Sequence, residues 1–217
     1  MNYSDQNLSV FPWIVSCGTL RSEDLLVRFW SIAAQLGGDL SPILSTLERL
    51  AGEDSREVDW SEEEAQDTIG RLFDILQDCA PEGFYFGASE GDGACFGFWL
   101  IEGWQTALDV MGLGDCDPSG WAALIASLVA DGIDPENIED AYAGRAEGRS
   151  EVVAGADYAM GLAQDVWLPE SPGGIGWNCW PISCIDWQDA WRELQMGGGG
   201  YRLQDIGGGD WLVFRNF

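Results

Sequence analysis

Leu25, Leu26, Phe29, Ile32, Ala33 and Leu36 recur at three- and four-residue intervals, which predicts a helix with Ser22 as N-cap and Gly37-Gly38 at its end. Ser41-Pro42 opens a second helix running to about Leu50. After an acidic connector, Ser61 and Glu64 form a capping box. The helix behind it buries Ala65, Ile69, Leu72, Phe73 and Leu76. Beyond Pro81 the period changes. FYFGAS (84–89) and ACFGFWLI (94–101), separated by EGDG, predict a β-hairpin. VFPWIVSC (10–17) reads as a buried strand that Pro12 places at an edge. Together these strands predict a small sheet covered by the three helices.

Helical spacing returns over 104–111 and 118–130. The segment 131–165 then predicts two short helices joined by a glycine turn. Asp134-Pro135 starts the first, with Ile138, Ala141 and Tyr142 facing inward, and Gly144 and Gly148 break the chain. Ser150 caps the second, whose inner positions are Val152, Val153, Ala156, Ala159, Met160 and Ala163. Residues 169–184, rich in Gly, Pro and Trp, predict packed irregular structure. DWQDAWRELQ (186–195) is a short helix, and YRLQDI, GGG and DWLVFRNF form a closing hairpin. The chain therefore reads as α+β, an elongated multi-domain molecule with small antiparallel sheets and a helical middle. The expected divisions are an α+β domain over 1–101, an acidic helical domain over 102–168, and a helix-plus-hairpin domain over 169–217.

Charge changes the picture most. The 217 residues hold 37 acids, ten arginines, no lysine and no histidine, a net charge of −27. Such a chain repels nucleic acid and anionic lipid and attracts basic surfaces. With 46% hydrophobic residues and twelve tryptophans it can bury real cores. No signal peptide and no bilayer-length apolar run is visible. The six cysteines show no CxxC pair, and we expect reduced, mostly buried thiols in a cytoplasmic protein.

Catalytic chemistry finds little support. Without histidine or lysine there is no imidazole base, amine nucleophile or P-loop lysine. GASEG (87–91) lacks the spacing of a nucleophile elbow. Paired carboxylates serve glycosidases, but nothing marks one pair among so many acids. Asp115, Asp117 and GDG at 91–93 do not make an EF-hand loop. We expect no enzyme activity, no metal and no cofactor. Adaptation to saturated salt would explain the charge, though not its arrangement on helical faces.

That arrangement points to imitation of DNA. Carboxylates four residues apart on a helix lie roughly 5–6 Å apart, near the phosphate spacing along one strand. At one charge per about 1.7 Å of duplex, the net charge of −27 corresponds to about fourteen base pairs. The candidate phosphate mimics are Glu63, Asp67, Asp74 and Asp78 on the 61–78 helix. Asp131, Asp134, Glu136, Glu139, Asp140, Glu147, Glu151, Asp157 and Asp165 follow in the acidic middle, where nine carboxylates face two arginines. Asp186, Asp189 and Glu193 lie on the C-terminal helix.

IDPENIEDAYAG (133–144) resembles the acidic segment of the ArdA antirestriction family. IDWQDAWREL (185–194), the glycine turn and the closing VFRNF (213–217) are similar to that family's ending. The resemblance covers about Trp99 to Phe217, while residues 1 to about 80 do not match the family's β-rich start. It implies a non-catalytic inhibitor, encoded on a mobile element and usually homodimeric. Such a protein occupies the DNA-binding groove of type I restriction-modification enzymes. Glu136, Glu139, Asp140 and Tyr142 would then belong to the central segment, and Asp186, Asp189 and Glu193 to the C-terminal helix. Other defence systems with basic grooves, CRISPR effectors among them, are open to the same device.

Overall fold

The computed structural model describes residues 11, 13–46, 62–114, 118–167, 182–197 and 200–215. The architecture is α+β, with helices and two three-stranded antiparallel sheets. The chain forms two compact units. One comprises Met1–Gln105 with Asp115–Asp131, the other Thr106–Gly114 with Gly132–Phe217. Among the described residues no helix is long and apolar enough to cross a membrane.

The first unit contains β1 (Ile14–Ser16), α1 (Ser22–Gln35), a 3-10 turn at Ser41–Ile43, α2 (Glu62–Asp78), β2 (Phe84–Ser89) and β3 (Asp92–Leu100). Helix α3 (Glu102–Val110) spans the division between units, and α4 (Pro118–Ala130) returns to the first. The strands run β1-β3-β2, so β1 lies at an edge, as Pro12 suggested. Alternation sends Phe84 and Phe86 of β2 and Phe96 and Phe98 of β3 to one face. There Phe29 of α1 meets Phe86 and Phe96 edge-on at 5.2 and 5.4 Å. Leu72 and Leu76 of α2 are fully buried in the same core. Gly97 is required where β1 crosses, because a Cβ there would run into the Trp13 carbonyl oxygen.

Several details differ from expectation. Strand β1 is shorter than the predicted 10–17 run, and Ile14 is 62% exposed because an edge strand covers only one side. Ser22 is the first residue of α1, not its cap. Arg21 holds the cap position without a side-chain bond. Thr19 Oγ1 instead accepts from the Arg21 N–H at 3.2 Å and donates to Asp24 at 2.8 Å. The Ser61 cap, the helix beyond residue 46 and most of the 169–184 segment lie outside the described residues.

The cysteine expectation fails for one pair. Cys17 and Cys95 are joined by a disulfide. Antiparallel pairing of β1 with β3 sets them side by side, although 78 residues separate them in sequence. Cys79 is free and buried, whereas Cys184 is free and exposed. Burial, helped by the neighbouring Asp78 charge, pushes the Cys79 thiol pKa up and keeps the thiol protonated.

The second unit contains a 3-10 turn at Pro135–Asn137, α5 (Ile138–Ala141), β4 (Tyr142–Glu147), α6 (Glu151–Trp167) and a 3-10 turn at Ile182–Cys184. Helix α7 (Trp187–Met196), β5 (Tyr201–Gly207) and β6 (Asp210–Arg215) complete it. Its sheet runs β4-β6-β5. The closing hairpin is as predicted, with Gly207, Gly208 and Gly209 at positive φ in and beside its turn. Strand β4 overturns the wholly helical middle. YAGRAE has no apolar alternation of its own, and β6 supplies the pairing across some sixty residues of chain, from Tyr142 opposite Phe214 to Glu147 opposite Asp210.

The inner face of α6 also differs. Ala154, Gly155, Ala159 and Ala163 are buried, while Val152, Val153 and Met160 are exposed. Trp191 of α7 is the reason. Its indole packs where a side chain on residue 155 would stand, so any Cβ there would collide with the ring. Tyr158 lies against Trp191 and Tyr201 at 6.3 and 5.6 Å and donates to the Ala143 carbonyl at 3.4 Å.

Candidate acidic interface

Every one of the sixteen carboxylate residues singled out from the sequence is exposed. Their placement follows from the amphipathicity of the elements that carry them. On α2 the apolar positions Ala65, Leu72, Ile75 and Leu76 are buried, which turns Glu63, Asp67, Asp74 and Asp78 outward. At about 100° per residue these four fall within an arc of roughly 60°, along about 22 Å of helix. That is one carboxylate per roughly 7.5 Å, about half the linear density of phosphates on one DNA strand. A single helix face is therefore too sparse to imitate a strand, and several faces have to contribute.

The acidic middle is divided among four kinds of local structure. Asp134 makes a capping box with Asn137, whose Oδ1 accepts the Asp134 N–H at 3.1 Å. Glu136 stands on the 3-10 turn, and Glu139 and Asp140 on α5, where buried Ile138 and Ala141 anchor the turn. Asp131 follows the end of α4. Glu147 ends β4, directly opposite Asp210, and its N–H donates to Asp157 of α6 at 3.3 Å. Asp210 was not among the sequence candidates; it opens a hydrophobic strand, and only its register against β4 brings it to Glu147. Glu151 and Asp165 lie near opposite ends of α6, Glu151 accepting from Gln195 at 3.4 Å.

On α7, Asp186 is the N-cap and accepts from the Gln188 and Asp189 N–H groups at 3.0 and 3.2 Å. Asp189 pairs with Arg192, and Glu193 is exposed. Several candidates thus serve the fold as well as the surface.

Several of the described arginines make contacts within the protein. Arg71 pairs with Asp67 at 3.0 Å and donates to the Pro42 carbonyl at 3.1 Å. Arg145 donates to the Met111 and Gly112 carbonyls at 2.8 and 2.9 Å, beside the negative end of α3. Arg202 and Arg215 lie over the Phe214 and Tyr201 rings, each 5.8 Å from the centroid. Arg71 and Arg192 thus each pair with a candidate carboxylate, whereas Arg145, Arg202 and Arg215 are held against backbone carbonyls and rings. Among the described residues no group of three or more Cys, Asp or Glu converges on a metal site.

Compared with family models, with curated proteins and with solved structures, the chain matches none.

Proposed function

We propose that the protein is a non-enzymatic DNA mimic that occupies the DNA-binding groove of a type I restriction-modification enzyme. The observation that carries this reading is the uniform exposure of the sixteen carboxylates, far in excess of the arginines that pair with them. A polyanion fixed on a folded frame docks without the ordering cost that a flexible acidic tail would carry. The similarity of 133–144, 185–194 and 213–217 to ArdA proteins favours type I enzymes over other nucleases with basic grooves. The protein would work in the cytoplasm as a homodimer, without cofactor, binding neither nucleic acid nor membrane.

The test is competition for a type I enzyme against a labelled duplex, followed by fluorescence anisotropy, with a CRISPR effector in a parallel arm. We expect displacement of the duplex from the type I enzyme. We also expect about tenfold or greater weakening when Glu63, Asp67, Asp74 and Asp78 are all changed to their amides, with single changes staying within about twofold. Undiminished DNA binding at excess protein would overturn the proposal. Loss of effect from one carboxylate alone would point to a catalytic site instead. Displacement from the CRISPR effector alone would transfer the mechanism to that target.

A further inference from the structure

The first unit carries a cleft of about 800 Å³ that the acidic surface does not account for. It lies along the β2–β3 hairpin, where Trp13, Phe84 and Phe98 also line it. Tyr85 and Trp99 are directly paired across β2 and β3 there, and Trp121 of α4 closes one side. The Tyr85 ring lies over Gly87, where a Cβ would come within 2.8 Å of it. The Trp99 ring lies against Gly97, 3.2 Å from the corresponding point. The Trp99 indole N–H is already used, donating to the Gly87 carbonyl at 2.8 Å. What Trp99 offers a ligand is therefore its ring rather than its N–H. Glu90, in the hairpin turn, and Glu102, at the start of α3, line the same cleft, and among the described residues no basic one does.

We propose that this cleft takes an arginine side chain from the protein partner. Aromatic faces attract a cation through the ring quadrupole, and carboxylates nearby add charge. A guanidinium suits the site better than an ammonium because it is planar, stacks on rings and is more weakly hydrated. The inference rests on the proposed function in one respect: a groove built for DNA is the source of exposed arginines. It adds something that phosphate imitation lacks. A duplex offers no aromatic cleft with carboxylates at its ends, so an arginine seated here would recognise this protein as distinct from DNA.

The experiment needs no nuclease. The full chain is labelled with 5-fluorotryptophan, its resonances are assigned by Trp→Phe replacement, and it is titrated with N-acetyl-arginine amide. Parallel titrations use N-acetyl-citrulline amide, the neutral analogue, and tetramethylammonium. We expect saturable shifts of the Trp99 and Trp121 resonances with arginine, and binding of citrulline about tenfold weaker. Glu90→Gln with Glu102→Gln, both at exposed positions, should weaken arginine binding several-fold with an unchanged circular dichroism spectrum. Equal binding of citrulline would overturn the proposal, as would shifts of equal size at Trp187 and Trp211 in the other unit. Tetramethylammonium binding tenfold tighter than arginine would make the cleft a quaternary-ammonium site instead. Arginine binding without displacement of DNA from any enzyme would sink the proposed function and leave the cleft standing. Displacement without arginine binding would do the reverse.

Discussion

The two units solve the same packing problem with different side chains. The first is built on large aromatics: Phe29 meets Phe86 edge to face, and Phe98 packs tilted against Phe86. The second packs small residues of β4 and α6, Ala146, Ala154 and Ala159, around Trp191, beside fully buried larger side chains such as Met111, Ile138, Leu212 and Phe214. They also differ in covalent bracing. The first holds the Cys17–Cys95 disulfide, and among the described residues the second holds none. Both present acids outward, so a charged surface places no particular demand on what lies beneath it. What differs is how each unit should fail.

Reduction should separate them most. The disulfide closes a loop spanning 78 residues of sequence separation, and chain-entropy estimates for loops of that size come to about 4 kcal/mol. Hydrogen exchange followed by mass spectrometry, with and without a phosphine reductant, should show faster exchange in β1, β3 and α1. Helices α6 and α7 and strands β5 and β6 should change little. Uniform loosening of both units would mean that the bond braces the whole chain and that the two units do not fail separately.

A smaller effect should appear in the second unit only. Gly155→Ala places a methyl group against the buried Trp191 ring, which is hemmed in by its neighbours and cannot swing aside. Overpacking of this kind costs about 1–3 kcal/mol. Gly161 on the same helix meets nothing within 4 Å and serves as the control. Gly161→Ala should be neutral or mildly stabilising through helix propensity. Urea midpoints read by Trp fluorescence would check both. A Gly155→Ala protein as stable as the parent would mean that Trp191 packs elsewhere.

The same contrast decides what the sequence could reveal. Phe84, Phe86, Phe96 and Phe98 announce their hairpin because large side chains alternate, and α2 is readable because Leu72 and Leu76 repeat at helical spacing. In α6 the buried stripe is alanine and glycine, and the larger Val152, Val153 and Met160 lie outside. A reading that follows hydrophobicity therefore picks the wrong face. Strand β4 is invisible for another reason: its partner β6 lies some sixty residues away, and YAGRAE carries no period of its own. The disulfide is hidden in the same way, since register alone makes Cys17 and Cys95 neighbours. The exposure of the sixteen carboxylates was legible, because acids on an amphipathic helix have one side to go to. The aromatic cleft was not. Trp99 and Trp121 look like core residues in sequence, and only the hairpin register and the return of α4 bring them to one cleft.

The smallest predicted effect tests how much the charged surface costs. Glu147 and Asp210 stand directly opposite each other on β4 and β6, and Asp157 reaches the same strand end. Like charges in facing positions destabilise a sheet. Asp210→Asn should therefore stabilise the second unit by about 0.5 kcal/mol at low ionic strength. The gain should shrink in 1 M salt, where the screening length falls to about 3 Å. Denaturant midpoints at the two salt concentrations, compared with Asp205→Asn on the neighbouring strand, would measure it. Asp205 sits opposite Trp211 and faces no acid across the ladder, so its change should do less. Were both substitutions equally stabilising, the cost would belong to the net charge of the whole molecule. A gain confined to Asp210 would place it in one strand pair, where carboxylates have been brought together despite their repulsion.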